Sequence, residues 1–243
     1  MERNSVFIGA RYYIDGAELL IKPELRWYAL VPILVNILLF IGLTTAFVAY
    51  YNDGVLWLEN ELPSWLNWLA WLLGIVFAIV MLVAYGFFFT TLTNIIASPF
   101  YGFLAEKTER VLTGQPLEGE SLLEMIPRVV MREIRKQIYF ILWGLLVFIL
   151  ALLLSFTGVG SPIATMLTIA WSAWCVAVQY TDYAADNNKL SFGELRSRLG
   201  EQRWTSLGFG GTAMLFTMIP IINIFAAPVA VCGATKYWVN NLR

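Results

Sequence analysis

The sequence predicts an all-α integral membrane protein, and two observations on composition and charge support this class. Of its 243 residues, 59% are hydrophobic and 14% are charged, whereas soluble domains contain about 45–50% apolar and about 25% charged residues. Four stretches contain no Asp, Glu, Lys or Arg: 27–52, 62–105, 137–181 and 204–235. A membrane-spanning helix needs roughly 20 such residues. We expect two long transmembrane helices plus two helical hairpins, at least one of them re-entrant, with amphipathic cytoplasmic helices.

Residues 1–22 predict an amphipathic N-terminal helix. Apolar residues recur there at steps of three and four, which is the spacing of one helical face: Phe7, Ala10, Ile14, Ala17 and Ile21. Scattered charges interrupt the stretch, so it does not have the pattern of a cleavable signal peptide. We expect this helix to lie along the membrane surface.

Two long spans are predicted at residues 24–51 and 65–93. Pro23 precedes the first span and is well placed to open a helix, because its missing N–H costs little there. Aromatic residues begin both spans, as is common at a membrane interface: Trp27 and Tyr28 in the first, and Trp65, Trp68 and Trp71 in the second. A short polar loop is expected between the spans.

The apolar run continues beyond the second span, and we expect Pro99 to break the helix. Residues 101–136 are charged and amphipathic, which predicts helices on the cytoplasmic side. Gly114, Gln115 and Pro116 indicate a turn within them.

Two helical hairpins are predicted at 137–181 and 204–238. The first is divided by an uncharged turn sequence, Gly158–Pro162, and the second is divided around Pro220, Asn223 and Pro228. The arms of the second hairpin are shorter than the roughly 20 residues of a full crossing. It is therefore interpreted as re-entrant, which requires cover from protein or a water-filled cavity. For the first hairpin, the sequence is compatible with a full span and with a re-entrant arrangement.

The basic residues predict the orientation. All 16 Lys and Arg residues lie within four segments: 1–26, 106–136, 182–203 and 236–243. The expected loop after the first span and the two hairpin turns contain none. Because cytoplasmic loops are enriched in Lys and Arg, we expect these segments and both termini to be cytoplasmic.

No pattern of catalytic residues is present. The chain contains no His, which removes the commonest general base and metal ligand. No phosphate-binding loop, nucleophile elbow or metal-ligand spacing occurs. We therefore expect neither an enzyme nor a bound metal or cofactor, and the net charge of -1 gives no support for a nucleic-acid partner.

The remaining candidate chemistry is cationic. Arg26 stands at the start of the first span, where helix N–H groups and a guanidinium together suit an oxyanion. Arg26 could instead reach lipid phosphates as an anchor. A second basic cluster has spacings of four, three and one, which place most of it on one helical face: Arg128, Arg132, Arg135 and Lys136. We interpret it as part of a membrane-surface helix that contacts anionic lipid.

Four residues are candidates for a pore or gate. Glu106 and Arg110 are four positions apart and could pair along a helix. Asn94 is a polar residue in apolar surroundings, and Pro99 marks the expected break nearby. Buried amides in a membrane seek protein partners, so Asn94 either joins helices or lines a pore.

Three sequence blocks resemble the CysZ family of bacterial sulfate-uptake proteins, with its EI24-type membrane domain. They are Lys22–Arg26 leading into a span with Pro32 and Asn36, Asn94–Lys107, and Ile219–Asn223 followed by Ala226–Thr235. The resemblance covers nearly the whole chain. It implies sulfate uptake for cysteine biosynthesis across the bacterial inner membrane, a homo-oligomer, and hairpins that partly enter the bilayer.

The resemblance also implies a sulfate-binding motif at the entry to the first span. The family motif is Gly-Leu-Arg, and the matching positions here are Glu24, Leu25 and Arg26. The replacement of Gly by Glu places a carboxylate beside a dianion, which is repulsive unless it points away or pairs with Arg26 or Lys22. The expected partners are therefore sulfate, membrane lipid and further copies of the chain.

The expected mechanism is channel-like or facilitative, because proton relays in membranes use Asp, Glu or His and the apolar stretches contain none. The alternative function is a non-transport scaffold or assembly factor. Such a protein would hold a soluble partner through its basic cytoplasmic face.

Overall fold

Long apolar runs favour continuous helices, because a helix satisfies every backbone polar group within its own segment. The computed structural model describes residues 4–61, 67–115 and 121–243, and these residues are helical apart from short turns, with no strand among them. The helices are α1 (Val6–Leu20), α2 (Pro23–Glu61), α3 (Asn67–Thr113), α4 (Leu122–Ser155), α5 (Gly160–Asn187), α6 (Phe192–Glu201), α7 (Arg203–Thr217) and α8 (Pro220–Tyr237), followed by a π-helical turn, Trp238–Leu242.

Within the described ranges, five helical segments are long and apolar enough to cross a membrane. They are Pro23–Trp57, Leu72–Thr113, Leu123–Ser155, Gly160–Asn187 and Ile222–Leu242. In the first three of these segments, most of the apolar side chains are exposed, as expected for helices that are surrounded by lipid. α7 has 15 residues and is too short to be one of them.

The predicted break at Pro99 is wrong, because α3 continues through Pro99 to Thr113. A proline removes one N–H and crowds the preceding turn. Pro99, however, is buried inside a helix of 47 residues, and the packing and hydrogen bonds on either side of it are kept. The expected turn at Gly114 is present as the end of α3, where Gly114 has a φ of 71°. Glycine is the usual residue at such a left-handed helix end.

Two other expectations about the polar segments are wrong. The predicted loop after residue 51 is helical as far as Glu61, because no proline lies between residues 51 and 61 and Leu56 and Trp57 are compatible with a helix. The helices predicted within residues 101–136 are not separate from the long apolar helices. Where these residues are described, they form the end of α3 and the beginning of α4, since charged residues on one helix face do not interrupt its backbone.

The chain forms two compact units, and the smaller one is Leu34–Ala97. Here α2 and α3 pack as an antiparallel pair through aromatic rings. The ring centroids of Phe40 and Phe89 are 6.0 Å apart, and those of Phe47 and Tyr85 are 4.8 Å apart. The Tyr85 hydroxyl also lies 2.7 Å from that of Thr44.

The larger unit contains Met1–Ile33 and Ser98–Arg243. In it, α5 contacts α4, α6, α7 and α8. The chain reverses at residues 156–159 between α4 and α5, and at Met218 and Ile219 between α7 and α8. The helices of each pair pack against each other.

α1 packs against α7 and α8 through a face of glycine, tyrosine and leucine. Its buried residues are Gly9, Tyr12, Tyr13, Gly16 and Leu19. A Cβ on Gly16 would lie 2.6 Å from the backbone nitrogen of Gly233, so only glycine allows this approach. The apolar face expected from the sequence is the opposite one, and its Phe7 and Ile21 are 85% and 77% exposed.

Candidate anion-binding site

The first turn of α2 fixes the position of Arg26. Pro23 opens the helix, and the carbonyl of Lys22 accepts hydrogen bonds from the N–H groups of Leu25 (3.0 Å) and Arg26 (3.1 Å). The Leu25 side chain is fully buried and anchors the turn, whereas Glu24 and Arg26 are exposed. The backbone amides of Leu25 and Arg26 are therefore already hydrogen-bonded to the Lys22 carbonyl. The donors that remain for an anion are the Glu24 N–H and the Arg26 guanidinium.

Arg26 borders a cavity of about 590 Å³ that is otherwise lined by apolar side chains. We call it the Arg26 cavity. Its walls include Leu20, Ala29 and Ile33, and the Arg26 guanidinium carbon lies 5.5 Å from the centroid of the Trp27 ring. Because the cavity offers one cation and few other polar groups, an anion would bind at its Arg26 end.

Glu24 is exposed on the first turn. An exposed carboxylate is screened by water and salt, which reduces its repulsion of an anion at Arg26. The replacement of the family's glycine is therefore compatible with an anion at this turn, provided that the Glu24 side chain stays directed to solvent.

Lys107 lies close to this turn, and the sequence analysis did not single it out. Its amine is 5.5 Å from the centroid of the Tyr28 ring, two residues beyond Arg26. A second cation thus lies near the start of α2. The only signal in the sequence was its place at the end of the block Asn94–Lys107.

The four candidate pore residues all lie on α3. Asn94 is half-buried and belongs to the smaller unit, whereas Pro99, Glu106 and Arg110 belong to the larger one. Pro99 is buried, Glu106 is half-buried and Arg110 is exposed. In the part of the chain that the structure describes, no ion pair joins Glu106 and Arg110, although they are one turn apart.

The second basic cluster does share a helix face, but most of it faces α5. Arg128 pairs with Asp186, Arg132 with Asp182 (2.6 Å) and Asp186 (3.1 Å), and Lys136 with Asp182 (3.2 Å). Its interpretation as a lipid-contacting surface is therefore wrong for these three residues, because the carboxylates of α5 hold them inward. Arg135 alone is exposed.

Lys136 is completely buried within this group. Its amine lies 2.7 Å from the Glu133 carboxylate and 4.6 Å from the centroid of the Tyr183 ring. The other oxygen of Glu133 accepts hydrogen bonds from Gln137 (2.9 Å) and Gln179 (3.1 Å). We call the buried ion-pair cluster the set Arg128, Arg132, Glu133, Lys136, Asp182 and Asp186.

The signal for this cluster was present in the sequence. Arg128, Arg132 and Lys136 recur every four residues, and so do Asp182 and Asp186. Such spacings place each set on one helical face. The two sets are 46 or more residues apart in the chain, so sequence spacing alone did not indicate that they face each other.

A further buried carboxylate lies on α3. Glu109 is 1% exposed, accepts a hydrogen bond from Asn188 at 2.8 Å and lies 3.6 Å from the guanidinium of Arg243. Asn187 also donates to the carbonyl of Gly102 at 2.8 Å. These contacts tie the end of α3 to the end of α5 and to the last residue of the chain.

The fold and these sites define a class of protein. Five apolar helical segments of membrane-spanning length lie in the described ranges, and the buried charges are matched by partners, as charged groups within membrane proteins require. The chain is therefore an α-helical, multi-pass membrane protein with a cationic candidate site at the start of its first long helix.

The chain belongs to the family described as Sulfate transporter CysZ/Etoposide-induced protein 2.4, whose model matches residues 12–228. It is 36% identical over 238 residues to a Sulfate transporter CysZ of Pectobacterium atrosepticum, covering 97% of this chain and 86% of the relative. It is 37% identical over 241 residues to that of Vibrio parahaemolyticus, covering 97% and 95%. It is 40% identical over 236 residues to that of Pseudomonas aeruginosa strain LESB58, covering 96% and 94%.

Proposed function

We propose that this protein takes up sulfate across the bacterial inner membrane and supplies it to cysteine biosynthesis. The observation that carries the proposal is near full-length similarity to proteins named as sulfate transporters, at 36–40% identity. The exposed guanidinium of Arg26 on the first turn of α2 adds a chemical reason, since arginine suits the oxygens of a tetrahedral oxyanion.

Energetics favour a channel-like or facilitative path pulled by consumption of sulfate. Moving one elementary charge against 100 mV costs about 2.3 kcal/mol, so the sulfate dianion costs about 4.6 kcal/mol. At about 1.4 kcal/mol per factor of ten, net entry stops when internal sulfate is about a thousandfold below external sulfate. Rapid metabolic removal keeps it below that level.

The buried carboxylates are compatible with such a path. Four carboxylates lie outside the charge-free stretches of the sequence but inside the long helices of the structure: Glu109, Glu133, Asp182 and Asp186. Each lies within 4 Å of a cation: Arg243, Lys136, Arg132 or Arg128. Protonation of Glu133, Asp182 or Asp186 would weaken a close ion pair, which makes these three carboxylates poor carriers of a mobile proton.

The proposed arrangement keeps both termini in the cytoplasm. All basic residues then share one side of the membrane, in agreement with the enrichment of Lys and Arg in cytoplasmic segments. At 1.5 Å per residue, the 15 residues of α7 extend about 22 Å, less than the roughly 30 Å of hydrocarbon. The α7–α8 hairpin is accordingly proposed to be re-entrant, within a homo-oligomer surrounded by lipid.

The proposed sulfate site is formed by Glu24, Leu25 and Arg26. Leu25 holds the turn by burial, the Glu24 N–H donates, and Arg26 supplies the charge. Glu106, Arg110, Pro99 and Asn94 are proposed to line or gate the path along α3.

Sulfate binding to detergent-purified protein tests the site directly. We expect wild type to bind sulfate selectively over chloride, and Arg26→Ala to raise the Kd about tenfold or more, because a charge-assisted hydrogen bond is lost. Arg11→Ala is the matched control, since Arg11 is also an exposed arginine near the N-terminus. Equal affinity in wild type and Arg26→Ala would remove Arg26 from the site.

A further inference from the structure

The Arg26 cavity runs along α2, with its charged residue at one end. Most of its lining residues on this helix are spaced by three or four positions, which places them on one face over two turns, about 10 Å of helix: Arg26, Ala29, Leu30 and Ile33. Phe225 on α8 and the end of α1 complete the wall. All of these residues belong to the larger unit, so the cavity lies within one compact part of the protein.

The order of polarity along the cavity matches that of a lipid in the membrane. Trp27 indicates the membrane boundary at the start of α2, and the helix continues from there into a stretch without charges, 27–52. In the proposed arrangement, the charged end of the cavity lies level with the lipid headgroups and the apolar end lies among the acyl chains. Trp27 and Phe225 are 64% and 47% exposed, so the cavity is open to the surrounding lipid.

Arg26 has no acidic partner within the protein. Across residues 4–61, 67–115 and 121–243, no carboxylate forms an ion pair with its guanidinium. The guanidinium contacts the Trp27 ring, and a contact of this kind with a ring face uses none of its hydrogen-bond donors. Among the described residues that line the cavity, Arg26 is also the one charged residue. A single unpaired guanidinium therefore stands at the charged end of the cavity.

One cation among apolar walls suits a monoanion with an apolar chain better than it suits sulfate inside the cavity. Sulfate carries two charges, and burial of a charge without a partner is costly. Sulfate therefore fits only at the mouth, where the exposed first turn with Glu24 is in contact with water. A phosphodiester carries one charge, which a single guanidinium matches with paired hydrogen bonds. The attached acyl chain supplies packing contacts that the empty apolar walls lack, in a volume typical of small-ligand sites.

We propose that the Arg26 cavity binds an anionic phospholipid, with the phosphodiester at Arg26 and one acyl chain along α2 towards Ile33. The lipid and sulfate then compete for the same guanidinium. Anionic lipid in the cytoplasmic leaflet accordingly weakens the apparent affinity for sulfate, and membrane composition regulates uptake through this cavity. The binding of lipid stands on the cavity alone, whereas the competition rests on the proposed sulfate site.

The first test measures retained lipid by native mass spectrometry of the full chain, released from nanodiscs of equal parts phosphatidylglycerol and phosphatidylcholine. Wild type should retain phosphatidylglycerol, and Arg26→Ala should lose the preference for it over phosphatidylcholine. Ala29→Leu and Leu30→Trp fill the cavity and should each reduce retention about tenfold. Leu30 is 41% exposed, so its variant keeps the test valid if Ala29→Leu does not fold.

Ala49→Leu is the matched control for cavity filling. Ala49 is exposed on α2 and lies outside the cavity, so the same substitution there should retain lipid as wild type does. Retention that is equal in wild type, Ala29→Leu and Leu30→Trp overturns the proposal. It is also overturned if no lipid is retained and the filling variants change the mass of the oligomer, which would assign the cavity to a second copy of the chain.

The second test titrates sulfate in the same nanodiscs and in pure phosphatidylcholine. The negative surface of phosphatidylglycerol repels sulfate from every variant alike, so a comparison of variants isolates the cavity. With phosphatidylglycerol, Ala29→Leu should bind sulfate about fivefold more tightly than wild type, since a competitor at about four times its own Kd has that effect. In phosphatidylcholine the two should bind sulfate equally.

The outcomes separate this inference from the proposed uptake function. Equal sulfate affinity of wild type and Ala29→Leu in both lipids, with lipid retention lost in Ala29→Leu, overturns the competition. Absence of sulfate binding in either lipid contradicts the proposed sulfate site and the competition with it, whereas the first test decides the lipid site independently.

Discussion

Lys136 shows what single residues contribute to this protein. Its amine is fully buried, between the carboxylates of Glu133 at 2.7 Å and Asp182 at 3.2 Å. A buried charge is tolerated only when it is paired and hydrogen-bonded. Removal of one partner leaves the others uncompensated, so this cluster should be more sensitive to substitution than the exposed cations around it.

We predict that Lys136→Ala lowers the melting temperature of the purified protein by roughly 10 °C, because breaking a buried pair costs about 3–5 kcal/mol. Arg135→Ala is the matched control on the adjacent, exposed position and should melt within about 1–2 °C of wild type. Thermal unfolding in detergent measures both. Equal melting of Lys136→Ala and wild type would mean that the cluster does not stabilise the fold.

Arg110 carries the prediction for the proposed path. It is exposed near the end of α3, one turn after Glu106. Replacement by Ala should reduce sulfate flux about tenfold, because a cation at the mouth of a path concentrates anions, without reducing the amount of protein in the membrane. Uptake of radiolabelled sulfate into vesicles with quantified protein measures this. Normal flux through well-inserted Arg110→Ala would remove Arg110 from the path.

At the scale of elements, α1 depends on close helix packing more than on a lipid-facing apolar stripe. Gly16 approaches the backbone of Val229 and Gly233 on α8, and Gly233 in turn approaches the backbone of Tyr12. Small residues are what allow helix backbones to meet at this distance. The helix is thereby joined to the larger unit, although its Phe7 and Ile21 remain exposed.

Gly16→Ala should therefore destabilise the protein by about 1–3 kcal/mol, since the added methyl group overpacks the contact. Gly42→Ala on α2 is the matched control: nothing lies within 4 Å of a Cβ there, and alanine should be neutral or slightly stabilising in a helix. Melting temperatures of the two variants measure the difference. A Gly16→Ala protein as stable as Gly42→Ala would show that α1 does not need this close approach.

At the scale of the whole molecule, the proposed mechanism predicts how uptake responds to gradients. In sealed vesicles, sulfate should enter down its own gradient at zero membrane potential with no pH gradient. An inside-negative potential should reduce its final level, because two charges move inward against the field. Vesicles lacking the protein are the control. Uptake that requires a pH gradient at zero potential would instead indicate proton coupling.

The sequence by itself determined the membrane class of the protein and the segments of the chain to which the cations are confined. Apolar stretches such as 137–181 and the confinement of all Lys and Arg to four segments are properties of the linear chain. They predict long helices because hydrophobic length is a local requirement of the bilayer. The position of Arg26 at the start of α2 was likewise evident from Pro23 and the aromatic residues that follow.

Only the tertiary structure decided what the charged residues contact. Lys136 and Asp182 are 46 positions apart, and the pairing of α4 with α5 turned a presumed surface cluster into a buried one. The same holds for α1, where contact with Gly233 selects the glycine face over the apolar one. α3 continues through Pro99 because packing on both sides outweighs one lost hydrogen bond. Local patterns cannot encode these outcomes, since they depend on which distant helix lies opposite.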